Sequence, residues 1–174
     1  MIDERPSAIF TRSFQPCLRA AEQAFPDDPS DPGAVKRWIE RTLDTTGYVA
    51  TGWSPNALFL LDVERLDFEA FPVVGAAVWT EVIDPLAAIR AGWRSAAVTV
   101  EVECRSRRCR ELARIVYAGP GMTGPARAGS IDPLWIRPAP RTTMATTVEA
   151  VRRRAGANRR ARALPTSQPN ACAP

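Results

Sequence analysis

The sequence has no histidine, and Lys36 is its one lysine. The lack of imidazole excludes Ser-His-Asp and Cys-His nucleophile activation, proton shuttling by a ring nitrogen and any metal site that uses histidine. Catalysis would have to run through carboxylates, a thiolate, tyrosine, arginine or Lys36, so a protein that is not an enzyme is the favoured expectation. No stretch approaches the roughly 18 consecutive apolar residues that span a bilayer. The start, Met1-Ile2-Asp3-Glu4-Arg5, lacks the basic cluster and apolar stretch of a secretory signal. These features predict a cytoplasmic protein with no membrane partner. Cys17, Cys104, Cys109 and Cys172 are irregularly spaced, so reduced thiols are expected rather than a disulfide framework.

What is present is charge sorted by position. Residues 1 to 104 hold sixteen Asp/Glu against nine Lys/Arg, and residues 105 to 174 hold fourteen Arg against Glu111, Asp132 and Glu149. A net charge of +4 hides a first part near -7 and a second near +11. Long-range attraction follows local charge density rather than the total, so the second part favours an anionic partner. The preference for arginine, with abundant alanine and proline, equally fits a GC-rich coding sequence.

At 174 residues and 45% hydrophobic content the chain suits one core plus a tail. The expected domain covers residues 1 to 156, with an acidic helical part over 8–46, a sheet and helix part over 47–118, an irregular loop over 119–141 and a helix over 142–156. A disordered basic tail over 157–174 follows, because its Arg, Ala, Pro and Ser cannot bury enough surface to offset ordering. A first helix starts near Pro16 and ends at Pro26. A second is capped by Ser30 or Asp31, with Pro32 in its first turn and Val35, Trp38, Ile39 and Leu43 on one face. Ala57 to Leu61 reads as a short buried strand, and the block from Val73 to Ile83 fits strand or helix. Asp84-Pro85 opens a short helix stopped at Gly92. The clearest strand runs from Ala97 to Cys104, with Val98, Val100, Val102 and Cys104 on one face and Thr99, Glu101 and Glu103 on the other. Cys109, Leu112, Ala113, Val116 and Tyr117 then form a helical stripe, predicting an amphipathic basic helix. The loop carries one anchor at Trp135-Ile136.

Several patterns bear on chemistry. Glu101 and Glu103 share a strand face and, with Asp62 or Glu64, are the candidates for a carboxylate-dependent, metal-using enzyme, although alternating acids on a wet strand face are ordinary. Cys104 and Cys109 flank Arg105, Arg107 and Arg108, and nearby cations favour a thiolate; zinc would require Cys17 and Cys172 to converge on them. Gly119-Pro120-Gly121-Met122-Thr123-Gly124 matches G-x-G-x-x-G, but Pro125 and Gly129 oppose the helix that phosphate cradling requires. With Val116-Tyr117-Ala118 before it, this stretch resembles the opening strand and loop of nucleoside deoxyribosyltransferase-like proteins, which place it at the start of their domain. The run Leu58 to Asp67 resembles a strand of ParB/sulfiredoxin-type domains, whose signature residues are absent. Neither resemblance carries a residue over, and no cofactor or metal is implied.

The expected fold class is therefore α+β: a single domain with a small mixed or antiparallel sheet, helices packed on one face and a disordered basic C-terminal tail. The expected function is that of a small bacterial-type accessory or regulatory protein that binds an anionic partner, nucleic acid or an acidic protein surface. The candidate contacts are Arg105, Arg107, Arg108, Arg114, Arg152, Arg153, Arg154, Arg159 and Arg160. The alternative is a protein-binding inhibitor or assembly factor that uses its acidic surface and exposed Trp53 and Trp93, tryptophans at turns.

Overall fold

Asp31 opens the first helix of the structure, a computed structural model that describes residues 25–163. Its carboxylate accepts the amides of Gly33 at 2.9 Å and Ala34 at 3.0 Å, and these bonds hold it below its usual pKa. With Pro32 at the first position, helix α1 (Pro32–Thr42) is fixed locally and presents Val35 and Trp38 to the core. Strands β1 (Tyr48–Trp53), β2 (Ala57–Asp62) and β3 (Val73–Val82) follow, then helix α2 (Pro85–Ala91), strands β4 (Ser95–Glu103), β5 (Arg108–Tyr117) and β6 (Ala126–Ala128), and helix α3 (Thr143–Ala163). The six strands form one sheet in chain order, every neighbour antiparallel. The chain is thus a single α+β domain. The helix expected near Pro16 and the last part of the tail lie outside the described residues.

Alternation along the strands builds two apolar layers. Val74, Ala76 and Val78 of β3, with Val98, Val100 and Val102 of β4, meet Val148, Val151 and Ala155 of α3. On the opposite face, Leu58, Leu60, Trp79 and Ala97 meet Val35 and Trp38 of α1. The helices are therefore divided between both faces rather than sharing one. Helix α3 approaches β1 closely because Gly52 has no side chain: a Cβ there would lie 2.5 Å from Thr143 Cγ2. Beside it, the buried Thr147 hydroxyl donates to Thr51 Oγ1 at 2.9 Å.

Three segments depart from expectation. The basic helix expected over residues 105 to 117 is strand β5. A bulge, seen where Thr99 pairs with Ala113 but Val100 with Glu111, brings Cys109 and Val116 to the same face. In a regular strand a spacing of seven would put them on opposite faces, so the bulge imitates a helical period. The loop over 119–141 contains a 3-10 turn at Pro120–Met122 and strand β6, and Ile136 exchanges both backbone bonds with Cys109 at 2.9 Å, as the anchor predicts. Finally, α3 continues past Gly156 into the expected tail. A Cβ on that glycine would meet nothing within 4 Å outside its own helix backbone, and farther along the Arg159 guanidinium rests 4.9 Å from the Phe71 ring centre.

The 3-10 turn is locked by a buried carboxylate. Glu81 Oε2 accepts from Trp79 Nε1 at 3.0 Å and from the Gly121 amide at 2.9 Å, while Arg94 Nη2 lies 3.5 Å from Oε1. The Met122 amide donates to Ser95 Oγ at 2.8 Å, and the amides of Gly119 and Thr123 bond within the turn. The glycine-rich loop thus turns these amides inward, away from any phosphate. Burial pushes the Glu81 carboxyl up from 4.5 to about 7. Because the folded chain holds this proton more tightly than the unfolded chain, its contribution to stability is complete below pH 4.5 and is lost as pH rises through about 7. Denaturation across that window should show the native protein losing stability relative to Glu81→Gln, and parallel curves would refute the assignment.

Candidate anion-binding site

The turn between β4 and β5 is organised by Glu103, whose carboxylate accepts the amides of Arg105 at 3.1 Å and Ser106 at 2.6 Å. Hydrogen bonds from the Ser106 hydroxyl and amide hold Glu103 below its ordinary pKa. The turn throws Arg105 and Arg107 into solvent, Arg107 with a left-handed backbone at φ 58°. Arg137 donates to the Ser106 carbonyl at 3.1 Å, bringing in the segment before α3. Arg141, at φ 66°, completes a cleft of about 590 Å³ in which four arginines face one acid, Glu149.

Glu149 is already engaged. Its two oxygens accept from Arg152 Nη1 at 2.8 and 2.9 Å, and Arg107 Nε stands 3.6 Å from one of them. Arg152 Nε donates in turn to the Cys104 carbonyl at 2.7 Å, so the pair latches α3 to the end of β4. Among the described residues, Arg105, Arg137 and Arg141 have no carboxylate partner.

The nine arginines singled out from sequence do not form one surface. Arg105 and Arg107 line the cleft, and Arg152 braces it. Arg108 bonds Ser106 Oγ at 3.0 Å from β5, beside Arg110, which pairs with Glu101 at 2.7 Å and stacks 4.8 Å from the Trp135 ring centre. Arg114 faces the other side of the sheet and chelates Glu111 at 2.6 Å. Arg153, Arg154 and Arg160 are exposed on α3 without described carboxylate partners, and Arg159 covers Phe71. Arg137 and Arg141 were not singled out, because nothing local marks a loop arginine that only the tertiary fold delivers.

The other candidates are placed elsewhere. Trp53 is 37% exposed at the end of edge strand β1, whereas Trp93 is half-buried against the main core. Glu101 and Glu103 serve Arg110 and the turn, and Asp62 accepts the amides of Glu64 and Arg65 at 3.1 Å. Among the described residues no three His, Cys, Asp or Glu side chains converge as a metal site. Cys104 and Cys109 are buried free thiols whose pKa values rise through burial, the opposite of the cation-activated thiolate.

The chain is similar in fold to Haemophilus influenzae protein E. One solved crystal form of that protein aligns with a TM-score of 0.52 at 14% identity, covering 64% of this chain and 91% of that one. A second structure gives 0.51 at 14% identity, covering 64% and 88%. At such identity the likeness is one of fold. No family model matches the sequence, and no curated protein does. No helix among the described residues is long and apolar enough to cross a membrane.

The latch and the free arginines separate by mutation. Arg152→Ala removes charge-assisted bonds to Glu149 and to Cys104 O and should lower stability by roughly 1.5–3 kcal/mol. Arg153→Ala, on an exposed side chain, should stay within about 0.5 kcal/mol. Equal denaturation midpoints for the two variants would show that the latch contributes nothing.

Proposed function

We propose that this protein acts by binding a polyanion, with nucleic acid as the partner, through the arginine cleft and the adjoining flank of α3. The observation that carries this reading is the unpaired charge. Glu149 faces the cleft, and Arg153 and Arg160 follow it at i+4 and i+11, on the same side of the helix. From Thr143 to Arg160 the helix runs roughly 26 Å at 1.5 Å per residue, enough to follow about seven steps of a duplex at 3.4 Å each. Arg154 projects from the other side of α3. Among the described residues no base-reading element accompanies these arginines, and the contact proposed is with phosphates and independent of sequence. Each neutralised phosphate releases condensed counterions, and affinity therefore falls with salt. The free thiols Cys104 and Cys109 support a cytoplasmic setting for this role.

A second reading rests on Trp53, an exposed indole on an edge strand, which suits a protein interface. A partner retained after nuclease treatment and lost on Trp53→Ala would favour it.

Fluorescence anisotropy of a labelled random duplex tests the first reading. Binding should appear at low salt, and the slope of log affinity against log salt should shrink by about 2 in Arg153→Ala/Arg160→Ala. Arg90→Ala removes one positive charge from α2, at the other end of the sheet, and should leave the slope unchanged. Absence of binding at low salt, or a slope that Arg90→Ala lowers as much per charge, overturns the proposal.

A further inference from the structure

The cleft has properties that a surface merely attractive to polyanions does not need. It is concave, and its volume of about 590 Å³ matches the range of small-ligand sites, roughly 300–1,000 Å³. Pro138, Pro140 and Val148 line it together with the arginines and supply an apolar floor. Four arginines against Glu149 leave a local surplus of three positive charges.

Backbone conformation points the same way. Three non-glycine residues among those described have a positive φ, and two of them are Arg107 and Arg141. The left-handed region costs a residue bearing a Cβ about 1 kcal/mol or more. Neither arginine recovers that cost through an interior contact: Arg141 is exposed and without a carboxylate partner, and Arg107 reaches only a shared one. The third such residue, Met122, is buried in the core and its amide is bonded to Ser95, so its conformation has a structural reason. The arginine conformations persist where they converge two cationic forks on one space. That space is held from both sides, because Arg152 ties α3 to the Cys104 carbonyl and Arg137 ties the opposite wall to Ser106.

We infer that the cleft is a site for a small phosphomonoester, its phosphate on Arg105, Arg107 and Arg141 and its organic part on the proline floor. A phosphate near neutral pH carries about -1.5 to -2 and presents three acceptor oxygens, which the planar forks of several arginines satisfy together. A single carboxylate would leave most of the surplus unanswered. The floor then distinguishes an organic phosphate from the free ion. This inference goes beyond the polyanion reading and shares the cleft with it.

Calorimetric titration of the full chain at low salt tests it, with adenosine 5′-monophosphate as the probe and inorganic phosphate and citrate as comparisons. One nucleotide should bind per chain, and Arg105→Ala and Arg141→Ala should each weaken it about tenfold or more, as loss of a charge-assisted bond requires. Arg90→Ala should have no effect. Arg141→Gly carries a readout independent of binding. It removes the guanidinium and the left-handed cost together, so the nucleotide is lost while the thermal midpoint stays level or rises. A fall in the midpoint would mean that Arg141 serves the fold, and would overturn its assignment to the ligand. The inference also fails if no nucleotide binds, if inorganic phosphate binds as tightly, or if citrate does. Duplex binding without nucleotide binding would remove this site and leave the polyanion reading standing; the reverse result would remove that reading alone.

Discussion

Strand β4 imposes the constraint on which the structure depends, because it is buried on both faces. Val98, Val100 and Val102 look one way and Ala97 and Thr99 the other, and all five are almost inaccessible to solvent. A strand of that kind needs a layer on each side. Helix α3 supplies one layer with Val148 and Val151, and α1 with Trp38 contributes to the other. The same demand explains the small side chains at the contacts. Gly52 lets α3 close on β1, and Ala76, Ala77 and Ala97 thin the middle of the sheet where layers meet. Once α3 is held there, its first half lies alongside the β4–β5 turn, and the cleft follows as the gap between them.

Two charged assemblies sit at opposite ends of this sheet and behave oppositely. At the β3–β4 end, Glu81 and Arg94 are buried, and the carboxylate is consumed by the indole of Trp79 and the amide of Gly121. Its role is to fix the turn after β5, at an electrostatic cost that appears as a raised proton affinity. At the β4–β5 end, the acids stay near solvent and serve the backbone or a neighbouring guanidinium. Glu103 shapes the turn, and Glu149 latches the helix. The first assembly closes a glycine-rich loop that sequence alone would offer to phosphate; the second leaves Arg105, Arg137 and Arg141 without described carboxylate partners at a concave surface.

Much of the fold was legible in the sequence where the determinants are local. Asp31-Pro32 and Asp84-Pro85 each place a side-chain acceptor and a fixed φ at a helix start, and both helices begin there. The valines of β4 alternate without interruption and so announce a strand. Strand β5 was not legible, because the bulge near Leu112 changes the parity of Cys109 and Val116 and a seven-residue spacing then reads as a helix. The extent of α3 was also hidden. Gly156 resembles a stop, but the stacking of Arg159 on Phe71 is a long-range contact that no window of sequence contains. The site was half visible: charge density marked Arg105 and Arg107, while Arg137 and Arg141 required the bridge between Ile136 and Cys109 to bring their segment alongside.

Which arginines the protein neutralises itself is decided by the element that carries them. On β5 the register sets Arg110 directly across from Glu101, and Glu111 lies within reach of Arg114, so strand-borne charge is answered within the sheet. Helix α3 has a different supply. Glu149 is its one acid and is taken by Arg152 at i+3, which leaves Arg153 at i+4 without an ion pair, and Arg154, Arg159 and Arg160 have no carboxylate at helical spacing. The positive excess of the second half of the chain is therefore folded away on one element and displayed on another. The display of Arg153 and Arg160 on one flank, adjoining the cleft, distinguishes this surface from the diffuse basicity that composition alone describes. A ligand attracted by the field of the flank would meet walls already tied together by Arg137 and Arg152, so the ordering cost of binding falls on the exposed side chains of Arg105 and Arg141.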